Sequence, residues 1–82
     1  MKAKLFTTLG CHLCEEALVL LQQVQPEFDL QLEQVEIADS EELMEQYGIR
    51  IPVVLGEATA EDLGWPFDLE QLRHYLIETS KK

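Results

Sequence analysis

Apolar and polar positions along this chain change period in step with a small set of elements. From Ala3 to Thr8 the run is short and β-leaning, with Leu5 and Phe6 side by side. Neighbouring residues on a strand point to opposite faces, so an adjacent apolar pair predicts a central strand covered on both sides. Leu9-Gly10 breaks that pattern, and from Cys11 to Gln25 the period becomes helical. Ala17, Leu18, Leu21 and Val24 make one stripe, flanked by Leu13 and Leu20. Glu15 and Glu16 fall in the first turn, where the helix dipole favours negative charge, and Pro26 is expected to stop the helix.

The stretch Asp29 to Ile37 alternates with a slip. Leu30 and Leu32 share one phase, whereas Val35 and Ile37 share the other. Either a bulge intervenes or the strand proper begins near Leu32, and the later start is preferred. Asp39, with Glu42 three residues on, predicts the N-cap of a short helix through Leu43, Met44 and Tyr47, and Gly48 is placed as its C′ residue. Ile51-Pro52-Val53-Val54-Leu55 is a compact strand-forming run, Gly56 to Thr59 a turn, and a weak strand follows between Ala60 and Trp65. Asp68 caps a last helix whose buried stripe is Leu69, Leu72, Tyr75 and Leu76. The order β-α-β-α-β-β-α follows. Its opening strand–helix–strand implies a parallel pair with a right-handed crossover, and the later hairpin extends the sheet in antiparallel fashion. The fold class is α/β, a four-stranded mixed sheet flanked by helices.

Length and charge narrow the function. With 82 residues the chain has room for one domain, expected over residues 1–82. A domain this small buries only about 60% of its unfolded surface, so one core must suffice. The formal charge is −10, from 16 acidic residues against six Lys and Arg. Lys2, Lys4, Arg50, Arg73, Lys81 and Lys82 are scattered and form no basic stripe, which argues against nucleic acid and anionic membranes as partners. The acidity favours solubility and repels anionic ligands at long range, and a basic protein partner would suit it. No apolar stretch is long enough for a secretion signal or a bilayer span, so two cysteines in such a chain favour a reducing, cytoplasmic setting, and a monomer is expected. There a close cysteine pair points to redox catalysis or metal more than to a structural bridge.

Cys11-His12-Leu13-Cys14 lies where the first strand ends and the first helix begins. Residues three apart on a helix share a face, so the two sulfurs can approach bonding distance. The first cysteine faces unpaired amide donors and the positive end of the dipole, both of which favour thiolate. Two alternatives compete. Zinc needs two more ligands, and only His12 and His74 remain as histidines, the first inside the motif and the second far along the last helix. The cysteines could also be inert small residues of the core. His12 beside the nucleophile could modulate the thiolate or relay a proton, or it could be a solvent-facing spacer. Ile51-Pro52 is a second unusual feature, because proline cannot donate to a sheet ladder and implies an edge or a special turn. From base rates alone that bond is expected trans.

Thr-Thr-Leu-Gly-Cys-His-Leu-Cys-Glu-Glu-Ala, followed by Tyr-Gly-Ile-Arg-Ile-Pro-Val-Val and by Trp65-Pro66-Phe67-Asp68, resembles the short bacterial glutaredoxin-like proteins of the thioredoxin superfamily over essentially the whole chain. The resemblance implies a thioredoxin fold and a thiol–disulfide oxidoreductase with Cys11 as nucleophile and Cys14 as resolving thiol. It also implies that Pro52 is cis, packed against the disulfide, with the Ile51 backbone pairing to a protein or small-molecule disulfide substrate. Three departures set this chain apart from typical glutaredoxins. Thr8 stands where they carry lysine, His12-Leu13 replaces their Pro-Tyr, and Gly64-Trp65 breaks the Gly-Gly pair that helps hold glutathione. Glutathione as reductant is therefore in doubt, and no bound cofactor is expected. Trp65 and Phe67 read as core-filling aromatics, with an exposed rim near the redox face for a protein partner as the alternative, and Tyr47 and Tyr75 read as packing residues more than acids or bases. The rival reading is a redox-sensing or redox-inert interaction module on the same fold. A further one is a dimer joining two cysteine pairs around a metal.

Overall fold

Leu5 and Phe6, adjacent in sequence, are buried in two different cores. They belong to strand β1 (Lys2–Thr7), which is followed by helix α1 (His12–Phe28), β2 (Gln31–Glu36), α2 (Glu41–Tyr47), β3 (Val53–Gly56), β4 (Asp62–Gly64) and α3 (Leu69–Ser80). This computed structural model describes residues 1–57 and 61–80, the Ser80 side chain excepted. The order is the one the sequence predicts, with a 3-10 turn at Ile37–Asp39 added.

The described strands form one sheet in the order β2-β1-β3-β4. β1 and β2 are parallel, and the β1–β3 and β3–β4 pairs are antiparallel. One face carries Ala3, Leu5 and Val54 against Ala17, Leu21 and Val24 of α1 and Leu72 and Leu76 of α3. The other carries Phe6 and Val53 against Ile37, with Leu43 and Tyr47 of α2 packed over them. Each strand residue keeps its face and each face has its own helical cover. That is why β1 reads as a continuous apolar pair instead of an alternation.

The slip in β2 has the same cause. Its ladder with β1 runs without a bulge from Lys2–Gln31 to Thr7–Glu36. Leu30 and Leu32 serve the α1 and α3 core, whereas Val35 and Ile37 serve the α2 core. Two half-strands with opposite apolar faces make one regular strand.

Several expected boundaries move. Pro26 does not stop α1, which continues to Phe28 and ends where Asp29 adopts a left-handed conformation (φ 49°, ψ 47°). Proline gives up its own N–H bond and crowds the carbonyl four residues back, but α1 runs only two residues beyond Pro26. The N–H groups of Asp29 and Leu30 both donate to the Gln25 carbonyl, so the end of the helix is still closed. The N-cap of α2 is Ser40, whose hydroxyl accepts the Leu43 N–H at 3.3 Å, and not Asp39, which the 3-10 turn absorbs. Gly48 follows α2 in a right-handed conformation (φ −52°) instead of the left-handed C′ geometry, and a Cβ there would press on the Met44 carbonyl. Pro52 lies one residue before β3, so it removes no ladder bond although β3 is a central strand. The expected weak strand is Asp62–Gly64, and the turn expected over Gly56–Thr59 falls partly outside the described residues. At α3 the expected cap forms, and reciprocally. Asp68 Oδ1 accepts the Gln71 N–H at 2.8 Å while Gln71 Oε1 accepts the Asp68 N–H at 2.9 Å.

Candidate redox site

Cys11 is the N-cap of α1, with an extended backbone (φ −81°, ψ 105°), and Cys14 lies in the first turn, 4% exposed. The two are joined by a disulfide, their Cα atoms 5.2 Å apart. Cys11 Sγ takes the place of a capping oxygen by accepting the Cys14 N–H at 3.2 Å. In the reduced protein the same donor, together with the helix dipole, would stabilise a Cys11 thiolate. Cys11 is half-buried and Cys14 buried, so of the two it is Cys11 that an incoming substrate can reach.

A tight turn delivers Cys11. Gly10 takes a left-handed φ of 79°, and the Cys11 N–H donates to the Thr8 carbonyl at 3.3 Å. The turn walls a cleft of about 300 Å³ that also includes Cys14, Leu18, Gln34 and Glu36. A larger groove of about 580 Å³, lined by Lys2, Lys4, Glu33 and Glu57 among others, opens around the start of β1 and holds no cysteine. The cysteine pair lies in the smaller one.

Sheet register brings the other expected residues to the same end. Phe6 pairs with Val53, so the loop leaving β1 toward Cys11 and the Ile51-Pro52 segment entering β3 emerge side by side. The Ile51–Pro52 peptide is cis, as the family resemblance implied and base rates did not, and Pro52 is fully buried. The Pro52 carbonyl accepts the Trp65 N–H at 3.0 Å, which ties this segment to the residue after β4. Trp65–Pro66 is also cis, which the sequence reading did not foresee. The Ile51 N–H is engaged, donating to the Tyr47 carbonyl at 3.0 Å. His12 points outward: its Nδ1 lies 3.6 Å from Glu15 Oε2, with both side chains largely in solvent.

The aromatic residues pack as expected. Phe67 is buried, Trp65 meets it edge to face at 5.1 Å, and Tyr47 stacks on Phe6 at 4.2 Å. Arg50, next to Ile51, holds Asp62 of β4 through both terminal nitrogens (Nη1 to Oδ2, 3.0 Å). Its cationic form is thereby favoured further.

Glu36 is the residue that sequence reasoning missed. Oε1 accepts the Leu9 N–H at 2.9 Å and Oε2 accepts the Ala38 N–H at 3.1 Å. The Ala38 bond foremost, then the Thr8 side chain and the Leu9 and Ile37 N–H groups, hold its carboxyl below the ordinary carboxylate range against an opposing effect of burial. The available signal was a carboxylate in phase with Leu30, Leu32 and Gln34 on the α1 side of β2. Among the described residues, no group of three or more His, Cys, Asp or Glu is arranged to hold a metal, and no helix is long and apolar enough to cross a membrane.

The comparisons with known proteins agree with this geometry. Residues 2–77 match the family model of the glutaredoxin-like domain (DUF836). Protein XcR50 of X. campestris superposes with a TM-score of 0.82 at 33% identity, covering 93% of this chain and 96% of its own. Protein Ne2328 of Nitrosomonas europaea gives 0.73 at 30% identity, covering 90% and 88%. Thioredoxin 1 of Thermosipho africanus, at 20% identity and a TM-score of 0.68 over the whole of both chains, shares the fold. A search of curated proteins found no match. With its mixed four-stranded sheet of thioredoxin type and its cysteine pair at disulfide distance, the chain belongs to the glutaredoxin-like domain family.

Proposed function

We propose that the protein is a thiol–disulfide oxidoreductase that cycles through the Cys11/Cys14 dithiol and its disulfide. The observation that carries this reading is the Cys11–Cys14 bond at the start of α1, with Cys11 Sγ on the Cys14 N–H and both cysteines in the wall of one cleft, Cys11 half-buried and Cys14 buried. In the forward step the Cys11 thiolate attacks one sulfur of a substrate disulfide. A Cys11–substrate bond forms, and the other substrate sulfur leaves as a thiolate that takes up a proton. Cys14 then loses its proton and attacks Cys11 Sγ. The second substrate thiolate is expelled and the enzyme disulfide forms. Two electrons pass from protein to substrate, and an external dithiol or two monothiols must return them.

Ile51 and Pro52 support substrate docking in this reading, since the register sets them beside the turn of Cys11. The client is a polypeptide disulfide: Leu9, Leu13 and Ile49, from the two loops at this end of the sheet and the first turn of α1, are exposed at 92%, 44% and 101%. Apolar side chains exposed around a reactive group suit a protein partner better than a small anionic disulfide.

The test is equilibration with glutathione redox buffers, read by mass, combined with alkylation of Cys11 across pH in Cys14→Ser. The expected result is a reversible intramolecular disulfide and a Cys11 thiol pKa below the free value of about 8.5. A thiol at or above that value, or a disulfide that never forms, removes the catalytic reading and leaves an interaction module.

A further inference from the structure

We infer that Glu36 is the positioning residue of the redox turn: its carboxylate fixes the segment that presents Cys11 and stands in the wall of the same cleft. This deepens the dithiol reading and rests on it. The parallel register sets Glu36 opposite Thr7, the last residue of β1, on the face that α1 covers. From there one side chain ties its own turn to a loop 27 residues earlier in sequence, taking Leu9 N–H on one oxygen and Ala38 N–H on the other.

Capping of the 3-10 turn alone would need only the Ala38 bond. The Leu9 bond is additional, and it falls on the turn that matters. Leu9 has no apolar anchor, being 92% exposed, and Gly10 next to it has open space where a side chain would stand. Between β1 and Cys11 the turn is thus held by the Thr8–Cys11 backbone bond from within and by Glu36 from without. Releasing the outer tether lets the attacking sulfur wander, and small displacements of a reacting group cost rate steeply.

The carboxylate also has an electrostatic effect. A negative charge in the cleft disfavours a second one on sulfur, so Glu36 works against the helix dipole and restrains the acidity of the cysteines. The other ionisable groups on this side are Glu15, on α1 in the cleft wall, His12 paired with it in solvent, and Asp39, exposed on the 3-10 turn. Only Glu36 is fixed by backbone donors from two loops.

The test compares wild type, Glu36→Gln and Glu36→Ala by three readouts. Glutamine keeps an acceptor for one N–H and loses the charge. Its alkylation midpoint for Cys11 should fall by about 0.3–1 pH unit. Its equilibrium with glutathione should shift toward the dithiol by about three-fold or more, since a more acidic thiol stabilises the reduced form. Alanine should show the same shifts and, in addition, a several-fold lower rate constant per thiolate at high pH. A purely structural role would move neither midpoint nor equilibrium. The third readout needs no variant: amide exchange in the wild-type protein should show Leu9 N–H protected despite its exposed side chain. An unprotected Leu9, or variants with wild-type midpoint, equilibrium and plateau, overturn the assignment. The dithiol reading fails separately, if the wild-type disulfide does not form in the same buffers.

Discussion

The backbone N–H of Ile51 donates to the Tyr47 carbonyl at 3.0 Å, so in the proposed docking role the residue before the cis proline would meet a substrate with its donor already engaged. In an antiparallel hydrogen-bonded pair a residue uses both its N–H and its C=O. A substrate segment docking on Ile51 therefore has the carbonyl to pair with, unless the Tyr47 bond is given up. The expectation is that the Ile51 amide keeps its exchange protection when Cys14→Ser protein is trapped as a mixed disulfide with a cysteine peptide. Loss of that protection, or transfer of the bond to the peptide in the NMR structure of the adduct, would show that two-bond pairing wins.

Tyr47 also anchors that segment from the ring side. It stacks on buried Phe6 with planes 11° apart, and the Arg50 guanidinium carbon lies 6.0 Å from its centroid. Tyr47→Ala should therefore cost about 2–3 kcal/mol, the lower range for an aromatic truncation because the ring is only half-buried. Tyr47→Phe keeps the stack and should stay within about 0.5 kcal/mol. Urea titration of both variants separates the two effects. Equal losses would mean that the hydroxyl matters and the stack does not.

At the opposite end of the sheet, Tyr75 ties α3 to the β3–β4 hairpin. Its hydroxyl donates to the Glu61 carbonyl at 2.6 Å and accepts the N–H of buried Gly56 at 3.0 Å. Burial foremost pushes its pKa above the ordinary 10.0, with the nearby acidic groups Asp62 and Glu61 adding to it and the Gly56 N–H opposing. The folded state thus holds this proton more tightly than the unfolded chain. Its stabilising contribution is complete below pH 10 and is lost as pH rises through the higher folded value. Denaturant midpoints should decline in that alkaline window and decline less in Tyr75→Phe. At neutral pH the same variant leaves the Gly56 N–H without its acceptor and should cost about 1–2 kcal/mol.

Much of this architecture could be read from the chain because local signals and tertiary needs agreed. The α1 stripe of Ala17, Leu21 and Val24, the Asp68 cap and the adjacency of Leu5 and Phe6 each named an element and its buried side. Where reading failed, a neighbouring element had changed the local choice. Pro26 is a helix breaker by propensity, but the Gln25 carbonyl collects two donors just beyond it and the helix closes later. Asp39 has good capping chemistry, yet the 3-10 turn draws it in and passes the cap to Ser40. The cysteine pair was legible because spacing and position carry its chemistry. Glu36 was not, since one acidic residue among 16 gives no sign of which backbone donors it will meet. Only the parallel register of β1 and β2 brings it to Leu9.

That register should also make the turn before Cys11 sensitive to acid. The Glu36 carboxyl is held below the ordinary 4.5, first by the Ala38 N–H and then by the Thr8 side chain and the Leu9 and Ile37 N–H groups, with burial opposing. A lowered folded value means that the stabilisation is present above the unfolded pKa and is lost as pH falls through the folded one. Protonation leaves the carboxyl a weaker acceptor, so the Leu9 tether should loosen before the core does. Leu9 exchange protection, corrected for intrinsic rates, should drop in that acidic window while amides of Leu21 and Val54 in the main core stay protected. Glu36→Gln should remove the acid step at Leu9 and leave the core amides unchanged. If Leu9 and the core lose protection together, acid is unfolding the whole domain and the turn has no separate anchor.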